Sequence, residues 1–325
     1  MAAGSGGAGT SRSIRWSADL ALVAVTLVWG TTFVVVKQAL ADVSTFLFLA
    51  LRFTLGAAIL GLLFRPGKAR NPRTLVTGGV LAGVFLFAGF LFQTVGLRYT
   101  TPSKSAFITG LSMVIVPVLA AVIERKKPTA SEALGIGIAT AGMALMTLEG
   151  ATLSIGKGDL LTLAGAVVFA GQIIAIGHCA PRLGFGDLSF VQIGTVALLS
   201  MAGGWFFETP EVRWTPGLIG ALLITGVLAT AVAFAVQAWA QRYTSPTRAA
   251  LIFALEPVFA WLTSFLLTGE LLSRRATAGA CLILAGILLV ELKPLSPRAR
   301  AFSLGKPSGR ESEAGPPGPS AAVDG

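Results

Sequence analysis

Long apolar runs joined by short polar connections make up most of this 325-residue chain. A helix that crosses a bilayer needs about 20 mostly apolar residues. Strands of a transmembrane barrel would instead alternate polar and apolar positions over segments of about 10 residues. The unbroken runs, rich in Gly and Ala, therefore predict an all-α integral membrane protein. Ten transmembrane helices are predicted, over 20–40, 46–64, 74–98, 103–123, 131–149, 159–180, 188–207, 217–241, 248–267 and 276–292.

One boundary between two apolar segments occurs twice in closely similar letters. Residues 93–102 read QTVGLRYTTP, and residues 237–246, which lie 144 positions later, read QAWAQRYTSP. The match continues without a gap as far as Gly142 and Gly286. Five segments separate the copies, and this odd number inverts the second copy in the membrane. The sequence thus predicts two inverted five-helix repeats, over 19–149 and 159–292, which is a common design of secondary transporters.

The distribution of Lys and Arg predicts the orientation of the helices. If the N-terminus is cytoplasmic, 17 of the 25 basic residues fall on the cytoplasmic side and 6 outside, while Lys37 and Arg52 lie within segments. Cytoplasmic loops carry the excess of basic residues in membrane proteins. We therefore expect a multi-pass protein of the cell inner (cytoplasmic) membrane with both termini in the cytoplasm. Residues 1–18 and 293–325, rich in Gly, Ser and Pro, are predicted to be disordered tails.

The first apolar segment resembles a secretory signal peptide, because Arg12 and Arg15 precede it and an Ala39-Leu40-Ala41 sequence ends it. Its apolar stretch, however, exceeds the roughly 7–15 residues of such a signal. The segment also takes part in the repeat, since Asp19 aligns with Asp159, 140 positions later. We expect it to be retained as the first transmembrane helix.

Composition narrows the range of functions. The chain is 54% hydrophobic and 12% charged, against about 25% charged residues in soluble domains. The net charge of +10 is accounted for by membrane topology, so no nucleic-acid partner is expected. Cys179 and Cys281 show no paired spacing, and no phosphate-binding loop or HExxH motif occurs. We predict no metal, no cofactor and no ATP-driven pumping by this chain alone.

Several short motifs resemble those of a known family. Trp29-Gly30-Thr31-Thr32-Phe33 ahead of Lys37 resembles the first-helix motif of EamA-type transporters, which belong to the drug/metabolite transporter superfamily. Similar correspondences occur at Leu51-Arg52-Phe53, at Leu255-Glu256-Pro257-Val258 and at Gly269-Glu270. The resemblance covers about residues 19–292. It implies a ten-helix exporter of small metabolites or amino acids with a central cavity, and it includes Thr32 among the substrate-binding residues. In the second repeat, Phe169-Ala170-Gly171-Gln172 replaces the Trp-Gly-Thr-Thr sequence.

Three ionisable residues are predicted inside the apolar segments. Such groups cost at least about 2.5–3.5 kcal/mol on insertion scales and persist where they meet water, a partner or a substrate. Lys37 and Arg52 enter from the same side and are candidates for binding an anionic or carboxylate-bearing solute. Their alternatives are snorkelling to the surface and a structural pairing. Glu256 is the deepest carboxyl and the first candidate for proton coupling, with a structural hydrogen bond as the alternative.

Polar and aromatic side chains complete the predicted site. Gln93, Gln172 and Gln237 are candidates for substrate binding, because an amide can recognise both ends of an amino acid. Their alternative is hydrogen bonding between helices. Trp29, near the middle of its segment, is predicted to form a cavity wall. Trp239 is included in the substrate-binding set, with a membrane-interface anchor as its alternative.

Three further residues are candidates for coupling or for breaking helices. Histidine is the residue type whose charge commonly changes near neutral pH, so His178 is a second coupling candidate, with a satisfied helix-end histidine as the alternative. Pro117 and Pro257 are predicted to break the fourth helix of each half, where freed carbonyls can meet a ligand. A packing kink is the alternative for both prolines.

The sequence thus predicts a secondary transporter that moves a small metabolite, such as an amino acid, by alternating access, as a monomer or homodimer. The lipid bilayer and a small-molecule substrate are the partners expected. A membrane-embedded lipid-modifying enzyme is the alternative, for which Glu124, His178 and Glu270 are scattered candidates. A structural or sensory membrane protein is a third hypothesis. A bundle packed solid between its halves would favour the third hypothesis, and a cavity lined by segments one, three, six and eight would favour transport.

Overall fold

The computed structural model describes residues 6–65, 71–125, 128–147, 156–268 and 273–292, all of them helical or in short connections. Predictions about Lys68, Arg70, Lys126, Lys127, Gly269, Glu270, the side chain of Glu124 and the tail 293–325 lie outside the described residues.

The helices are α1 (Gly6–Ala39), α2 (Thr45–Phe64), α3 (Pro72–Tyr99), α4 (Pro102–Gly110), α5 (Ser112–Glu124), α6 (Ala130–Thr147), α7 (Lys157–Cys179), α8 (Phe185–Phe207), α9 (Pro216–Leu223), a π-helical segment (Ile224–Val232), α10 (Ala233–Ala240), α11 (Pro246–Phe253), α12 (Glu256–Thr268) and α13 (Arg274–Leu292).

Length and composition make this an all-helical, multi-pass membrane protein. Among the described residues, seven spans are long and apolar enough to cross a bilayer, and two shorter apolar helices lie at Ala130–Leu145 and Thr277–Leu289. The predicted segment 248–267 corresponds to two short helices, α11 and α12. The seven spans are Ser13–Ala39, Thr45–Phe64, Pro72–Tyr99, Lys104–Ile123, Lys157–Cys179, Phe185–Phe207 and Pro216–Ala240. Ten transmembrane helices remain the prediction from the sequence.

The first helix begins earlier than the sequence predicted. Residues 6–18 were expected to belong to a disordered tail, and the structure places them in α1. No proline interrupts the chain between Gly6 and Ala39, and each residue added to an existing helix gains a hydrogen bond. Ala18 and Leu22 are fully buried and attach this part of α1 to the bundle.

Four helices start with a polar cap followed by proline. At α3, α4, α9 and α11, the cap side chain accepts a hydrogen bond from the backbone N–H three residues on. A proline at the first helical position gives up no hydrogen bond, because that N–H has no partner within the helix. Thr101-Pro102 and Ser245-Pro246 are the last two residues of the two copies of the repeated sequence. This part of the repeat therefore encodes the start of a helix in each half.

The two halves interleave. Helix α3 packs along α7, α2 along α8, α6 along α13, and α1 along α12, and each of these contacts joins one half to the other. The α6–α13 contact is closest at glycines that are repeat mates. A Cβ added at Gly142 would lie 2.6 Å from the carbonyl oxygen of Gly279, and one added at Gly286 would lie 2.5 Å from that of Gly135. Close backbone approach through small residues is the usual way in which helices pack in lipid.

The fourth helix of each half is broken at equivalent positions. The first break lies at Leu111, between α4 and α5, and the second at Ala254 and Leu255, between α11 and α12. Leu111 and Leu255 are repeat mates, 144 positions apart. Pro257 lies in the first turn of α12, next to its break, as predicted. Pro117 instead lies inside α5, six residues after the break, so the break in the first half is not made by proline.

Two loops pair where α1 ends, and we call this side of the bundle the outer end, following the charge-based orientation. Val43 forms an isolated bridge with Val212. The carboxylate of Glu208 accepts hydrogen bonds from the backbone N–H groups of Thr45 and Phe46, both at 2.8 Å, and from that of Leu47 at 3.2 Å. An acidic side chain is favoured at a helix N-terminus. The opposite side, where α10 ends, is the inner end.

Candidate functional site

A cavity lies at the centre of the bundle, with helices of both halves around it. Its empty space, including the part open to solvent, is about 740 Å³. The lining residues are Trp29, Thr32, Phe33, Val36, Arg52, Leu86, Phe90, Gln93, Thr94, Leu97, Thr109, Ser112, Phe169, Gln172, Ile173, Phe234, Gln237, Phe253 and Glu256. Helices α1, α3, α7 and α10 all contribute residues to the cavity. They overlap the predicted segments one, three, six and eight, and a cavity lined by these segments was the arrangement expected to favour transport.

Seven of the residues selected from the sequence line this cavity together. They come from six helices and from both halves of the chain, and most were selected because they are polar residues inside apolar segments. They are Trp29, Thr32, Arg52, Gln93, Gln172, Gln237 and Glu256.

Arg52 places an unpaired cation at the cavity wall. The residue is 2% exposed, and its Nε donates a 2.9 Å hydrogen bond to the hydroxyl of Thr230. The guanidinium carbon lies 4.6 Å from the centre of the Phe90 ring and 5.2 Å from that of Phe53. Among the described residues no carboxylate forms an ion pair with Arg52. The outer edge of the guanidinium is therefore available to an acceptor that enters the cavity.

Glu256 places a carboxyl group on the same cavity at the start of α12. The side chain is 8% exposed and forms no hydrogen bond or ion pair within the described part of the chain. Gly30 of α1 packs against the backbone here, since a Cβ at Gly30 would lie 2.7 Å from the Glu256 carbonyl oxygen. The glycine of the Trp-Gly-Thr-Thr motif thus allows α1 to lie directly against the break that carries Glu256.

Aromatic rings form the apolar wall of the cavity. The Trp29 ring lies 5.2 Å from the Phe234 ring and 5.1 Å from the Phe253 ring, centre to centre. Phe90 lies 5.2 Å from Phe169 in an edge-to-face contact. Pairs at these separations stabilise one another by about 0.5–1.5 kcal/mol beyond the burial of their surface. The wall is thus a rigid apolar surface beside the two charged groups.

Amide side chains form the polar floor of the cavity. Gln172 and Gln237 exchange two hydrogen bonds of 3.3 Å, each donating to the oxygen of the other. Gln172 also donates to the Oε1 of Gln192, at 3.1 Å. On the other side Gln93 donates to the hydroxyl of Thr109, at 3.0 Å. The predicted glutamines thus form hydrogen bonds between helices, which is the alternative given for them, and they also face the cavity. Substrate binding by these residues stays a prediction.

A π-helical segment lies between α9 and α10 and accepts hydrogen bonds from two residues of the site. Trp29 Nε1 donates to the carbonyl of Ala229 at 3.0 Å, and Arg52 bonds to Thr230. π-Helical turns interrupt the regular backbone and often occur at functional sites. Nothing in the apolar sequence of Ile224–Val232 indicated this segment, because its residues suit an α-helix equally well.

Three of the predicted substrate-binding and coupling residues lie outside the cavity. Lys37 was a substrate-binding candidate, and the structure places its ammonium group on the carbonyls of Leu97, Arg98 and Thr100, at 2.6, 3.2 and 3.2 Å. These are the free carbonyls at the end of α3, which a lysine commonly caps. The Lys37 side chain is long enough for its ammonium group to reach a neighbouring helix. The position of Lys37 along the sequence does not show which groups this ammonium contacts.

The other two are Trp239 and His178. The Trp239 ring, also a substrate-binding candidate, packs against Tyr243 with 5.7 Å between ring centres. His178, a candidate for proton coupling, has its Nδ1 2.9 Å from the carbonyl of Ile174, one turn back in α7. This contact is the helix-end arrangement given above as the alternative for His178.

Ion pairs at the two ends of the bundle are related by the repeat. At the outer end Lys104 of α4 pairs with Asp159 of α7, at 2.6 Å. At the inner end Arg248 of α11 pairs with Asp19 of α1, at 2.8 Å. Lys104 and Arg248 are repeat mates, as are Asp19 and Asp159. Each pair therefore joins one half of the chain to the other, at opposite ends.

The cavity extends farther towards the outer end than towards the inner end. All four residues of two mate pairs are buried, but Thr94 and Leu97 of α3 line the cavity, whereas their repeat mates Ala238 and Gln241 do not. Gln241 donates to the carbonyl of Ile173 at 3.0 Å and fills the inner side. The two halves thus hold equivalent residues in different environments.

The repeat also carried a signal for residues that the sequence analysis missed. Ser112 is the mate of Glu256, and Gln192 is the mate of Arg52. Each candidate has a repeat mate 140 or 144 positions away, and listing these mates would have identified both residues. Phe90 and Thr109 had no such signal, since a phenylalanine or a threonine in an apolar helix is most often a packing residue. No group of three His, Cys, Asp or Glu that could hold a metal occurs among the described residues.

Comparison with known proteins identifies relatives of the whole bundle. The family model described as the EamA-like transporter family matches residues 16–148 and again residues 156–292. An uncharacterized transporter of Archaeoglobus fulgidus is 34% identical over 279 residues, which covers 86% of this chain and 87% of that protein. The uncharacterized transporter YoaV of Bacillus subtilis is 24% identical over 285 residues, covering 83% of this chain and 95% of that protein.

A solved crystal structure of a protein has a similar fold. Its TM-score is 0.71 at 20% sequence identity, and the match covers 85% of this chain and 96% of that one. This similarity concerns the fold alone.

Proposed function

This chain belongs to the EamA-like transporter family, and from that membership and the central cavity we propose that it is a secondary transporter of amino acids or closely related solutes. Membership of the family and the names of its relatives indicate a membrane transporter rather than an enzyme. The proposed mechanism is alternating access to one central site. Export from the cytoplasm is the proposed direction, in agreement with the resemblance in the sequence, and both termini are placed in the cytoplasm by the basic residues.

The observation that carries the proposal is the presence of two unpaired ionisable groups, one basic and one acidic, on one cavity. Arg52 and Glu256 both line it, and in the described residues neither forms an ion pair. A buried charge without a partner is costly, so a solute that supplies both partners at once gains binding free energy. The zwitterion of an amino acid has a carboxylate for Arg52 and an ammonium group for Glu256.

The rest of the wall supports the same class of solute. The amides of Gln93 and Gln237 offer donors and acceptors for the polar end of an amino acid. The rings of Trp29, Phe90 and Phe253 form an apolar surface for its side chain. Apolar lining with a few placed polar groups is typical of small-molecule sites.

Alternating access is supported by the ion pairs at the two ends. Lys104–Asp159 holds the outer end and Arg248–Asp19 holds the inner end, and each joins the two halves. A cycle that opens one end at a time would break one of these pairs while it keeps the other. Because the halves interleave, the groups of helices that move relative to each other each contain helices of both repeats.

A proton is the proposed coupling ion, and Glu256 is its carrier. Glu256 is the deepest carboxyl of the predicted segments, it faces the cavity, and it lies beside the break between α11 and α12. A carboxyl that can meet either the substrate's ammonium group or a proton can exchange one for the other. His178, the second candidate, lies off the cavity.

The test is counterflow into proteoliposomes with each of the twenty amino acids. The proposal expects uptake of one or more of them by the wild type. It expects a loss of about 10-fold or more in apparent affinity for Arg52→Met, since a hydrogen bond to a charged group is worth about 1.5–3 kcal/mol. Arg213→Met is the matched control, because Arg213 is largely exposed at the outer end and lies off the cavity. Uptake of no amino acid by well-inserted wild type would reject the substrate class.

A further inference from the structure

Gln192 of α8 is a buried amide with only part of its hydrogen-bonding capacity used. The residue is 0% exposed, and its Oε1 accepts from Gln172. Its Nε2 has no hydrogen-bond partner in the described part of the chain. Leaving a buried donor unsatisfied is costly, and each such group in a native structure calls for a physical explanation.

The repeat relates Gln192 and its two neighbours to the polar residues on the other side of the cavity. Gln192 is the mate of Arg52 and Gln172 is the mate of Thr32, both at an offset of 140. Gln237 is the mate of Gln93 at an offset of 144. Helix α2, which carries Arg52, packs directly against α8, which carries Gln192. The two sets thus occupy equivalent places in the two inverted halves.

The two sets differ in their state. We name Thr32, Arg52 and Gln93 the open set, because all three line the cavity. We name Gln172, Gln192 and Gln237 the closed set, because these amides bond to one another. Gln172 and Gln237 also line the cavity, whereas Gln192 lies behind them and does not. The cavity also extends towards the outer end on the side of the open set, past Thr94 and Leu97.

This structure keeps both end pairs, and its cavity reaches farther towards the outer end. In an inverted-repeat transporter, exchanging the conformations of the two halves gives the state whose cavity reaches farther towards the inner end. Breaking the inner pair then completes the inward-open state. On that exchange the closed set separates, and Gln192 reaches the position relative to the cavity that Arg52 holds here. We propose that Gln192 is a substrate-binding residue of the inward-open state, in which its free amide donates to the anionic group of the solute that Arg52 binds from the outside. This inference rests on the proposed transport of amino acids.

The chemistry of the two positions sets a direction for affinity. A guanidinium binds a carboxylate through charge-assisted hydrogen bonds, which are roughly twice as strong as those of a neutral amide. The inner site therefore binds a carboxylate more weakly than the outer site.

The experiment uses two reporter positions that are repeat mates, in the full chain with Cys179 and Cys281 replaced by serine. Thr94→Cys reports on the outer side of the cavity, and Ala238→Cys, on a residue 1% exposed here, reports on the inner side. Each is treated in oriented vesicles with a membrane-impermeant thiol reagent, added to the matching side. The probe is an equimolar mixture of the protein amino acids without cysteine, whose thiol would consume the reagent. It slows labelling about 10-fold when present at tenfold excess over its half-saturating concentration.

The expected result is selective. Gln192→Met removes the amide at nearly constant volume, so it abolishes the protection of Ala238→Cys from the inside and leaves the protection of Thr94→Cys from the outside unchanged. Ser200→Ala is the matched control, because Ser200 lies on the same helix, is 0% exposed and also has an unpartnered polar atom in the described structure. It changes neither protection.

Three results would overturn the inference. The first is equal protection with and without Gln192→Met, and the second is an equal loss at both reporters, which a structural role would cause. The third is a thiol of Ala238→Cys that never reacts from the inside, which would contradict the exchange itself. If neither reporter is protected before Gln192 is changed, the proposed substrate class fails, and this inference fails with it.

Discussion

Removing one ion pair should open one end of the transporter without opening the other. The perturbations are Asp159→Asn, which breaks the pair with Lys104 at the outer end, and Asp19→Asn, which breaks the pair with Arg248 at the inner end. Both replace a carboxylate by an amide of the same size. The residues are repeat mates, so the two variants are matched to one another.

The two ion pairs are expected to contribute different free energies, because their side chains differ in exposure. The Lys104 side chain is 28% exposed, so its pair with Asp159 is screened by solvent and contributes about 1 kcal/mol, the upper part of the range for surface pairs. The Arg248 and Asp19 side chains are only 12% and 8% exposed. Breaking a buried pair costs about 3–5 kcal/mol, and we use about 3 because both ends lie near the surface.

These free energies convert into populations. The state in which an end is closed is stabilised by the ion pair at that end, so removing the pair raises the free energy of this state. The state in which that end is open has no such pair, so its free energy does not change. Asp159→Asn should therefore raise the outward-open population up to about 5-fold, and Asp19→Asn should raise the inward-open population up to about 150-fold. The larger effect at the inner end follows from its deeper burial.

The assay is the labelling rate of the two cysteine reporters described above, Thr94→Cys from the outside and Ala238→Cys from the inside. Asp159→Asn should accelerate only the first, and Asp19→Asn only the second. The control is Arg213→Gln, which breaks the pair with Asp42 at the outer end, where the Arg213 side chain is 75% exposed. It should alter neither rate. If both aspartate variants accelerate the same reporter, or neither has an effect, the ion pairs do not hold the two ends.

Three further predictions concern single residues. Glu256→Gln should remove the pH dependence of counterflow while the protein still inserts, and unchanged pH dependence would exclude Glu256 as the proton carrier. Gly142→Val should lower the thermal unfolding temperature markedly, since its Cβ would lie 2.6 Å from the Gly279 carbonyl oxygen, whereas Gly137→Val on the same helix has nothing within 4 Å and should not. An equal effect of the two glycine variants would refute the close contact. Lys37→Met should also lower thermal stability, by about 1–3 kcal/mol for the uncapped carbonyls, with no change in KM for the transported amino acid; a raised KM would return Lys37 to the binding site.

The sequence was informative where a residue type was unusual for its surroundings. Arg52, Gln172 and Glu256 are conspicuous in apolar segments because burying them is costly, and all three line one cavity. Lys37 was equally conspicuous, but a lysine can extend about the length of a helical turn from its backbone. Only the position of α3 shows that its ammonium group caps carbonyls.

Other features had no local signal. The break at Leu111 occurs between Gly110 and Ser112, where no proline or charge marks it, and Pro117 drew attention to the wrong turn of the helix. The aromatic wall was hidden because phenylalanines that face lipid and phenylalanines that face a cavity occur in similar sequences. The ion pairs had a signal in the repeat, since Lys104 and Arg248 are mates and so are their partners, but their pairing across the two halves depends on the interleaving.

The contact of α6 with α13 also has a consequence for biosynthesis. In the described structure α6 packs mainly on α13, and their backbones meet at glycines in both directions. Helix α6 ends at Thr147, and α13 begins at Arg274, so the ribosome makes more than a hundred residues between them. At about 5–20 residues per second, α6 waits in the lipid for roughly 6–25 seconds before its partner is available. A nascent chain that stops before the last helix leaves that glycine face uncovered, so membrane quality control can distinguish it from the finished protein by this face.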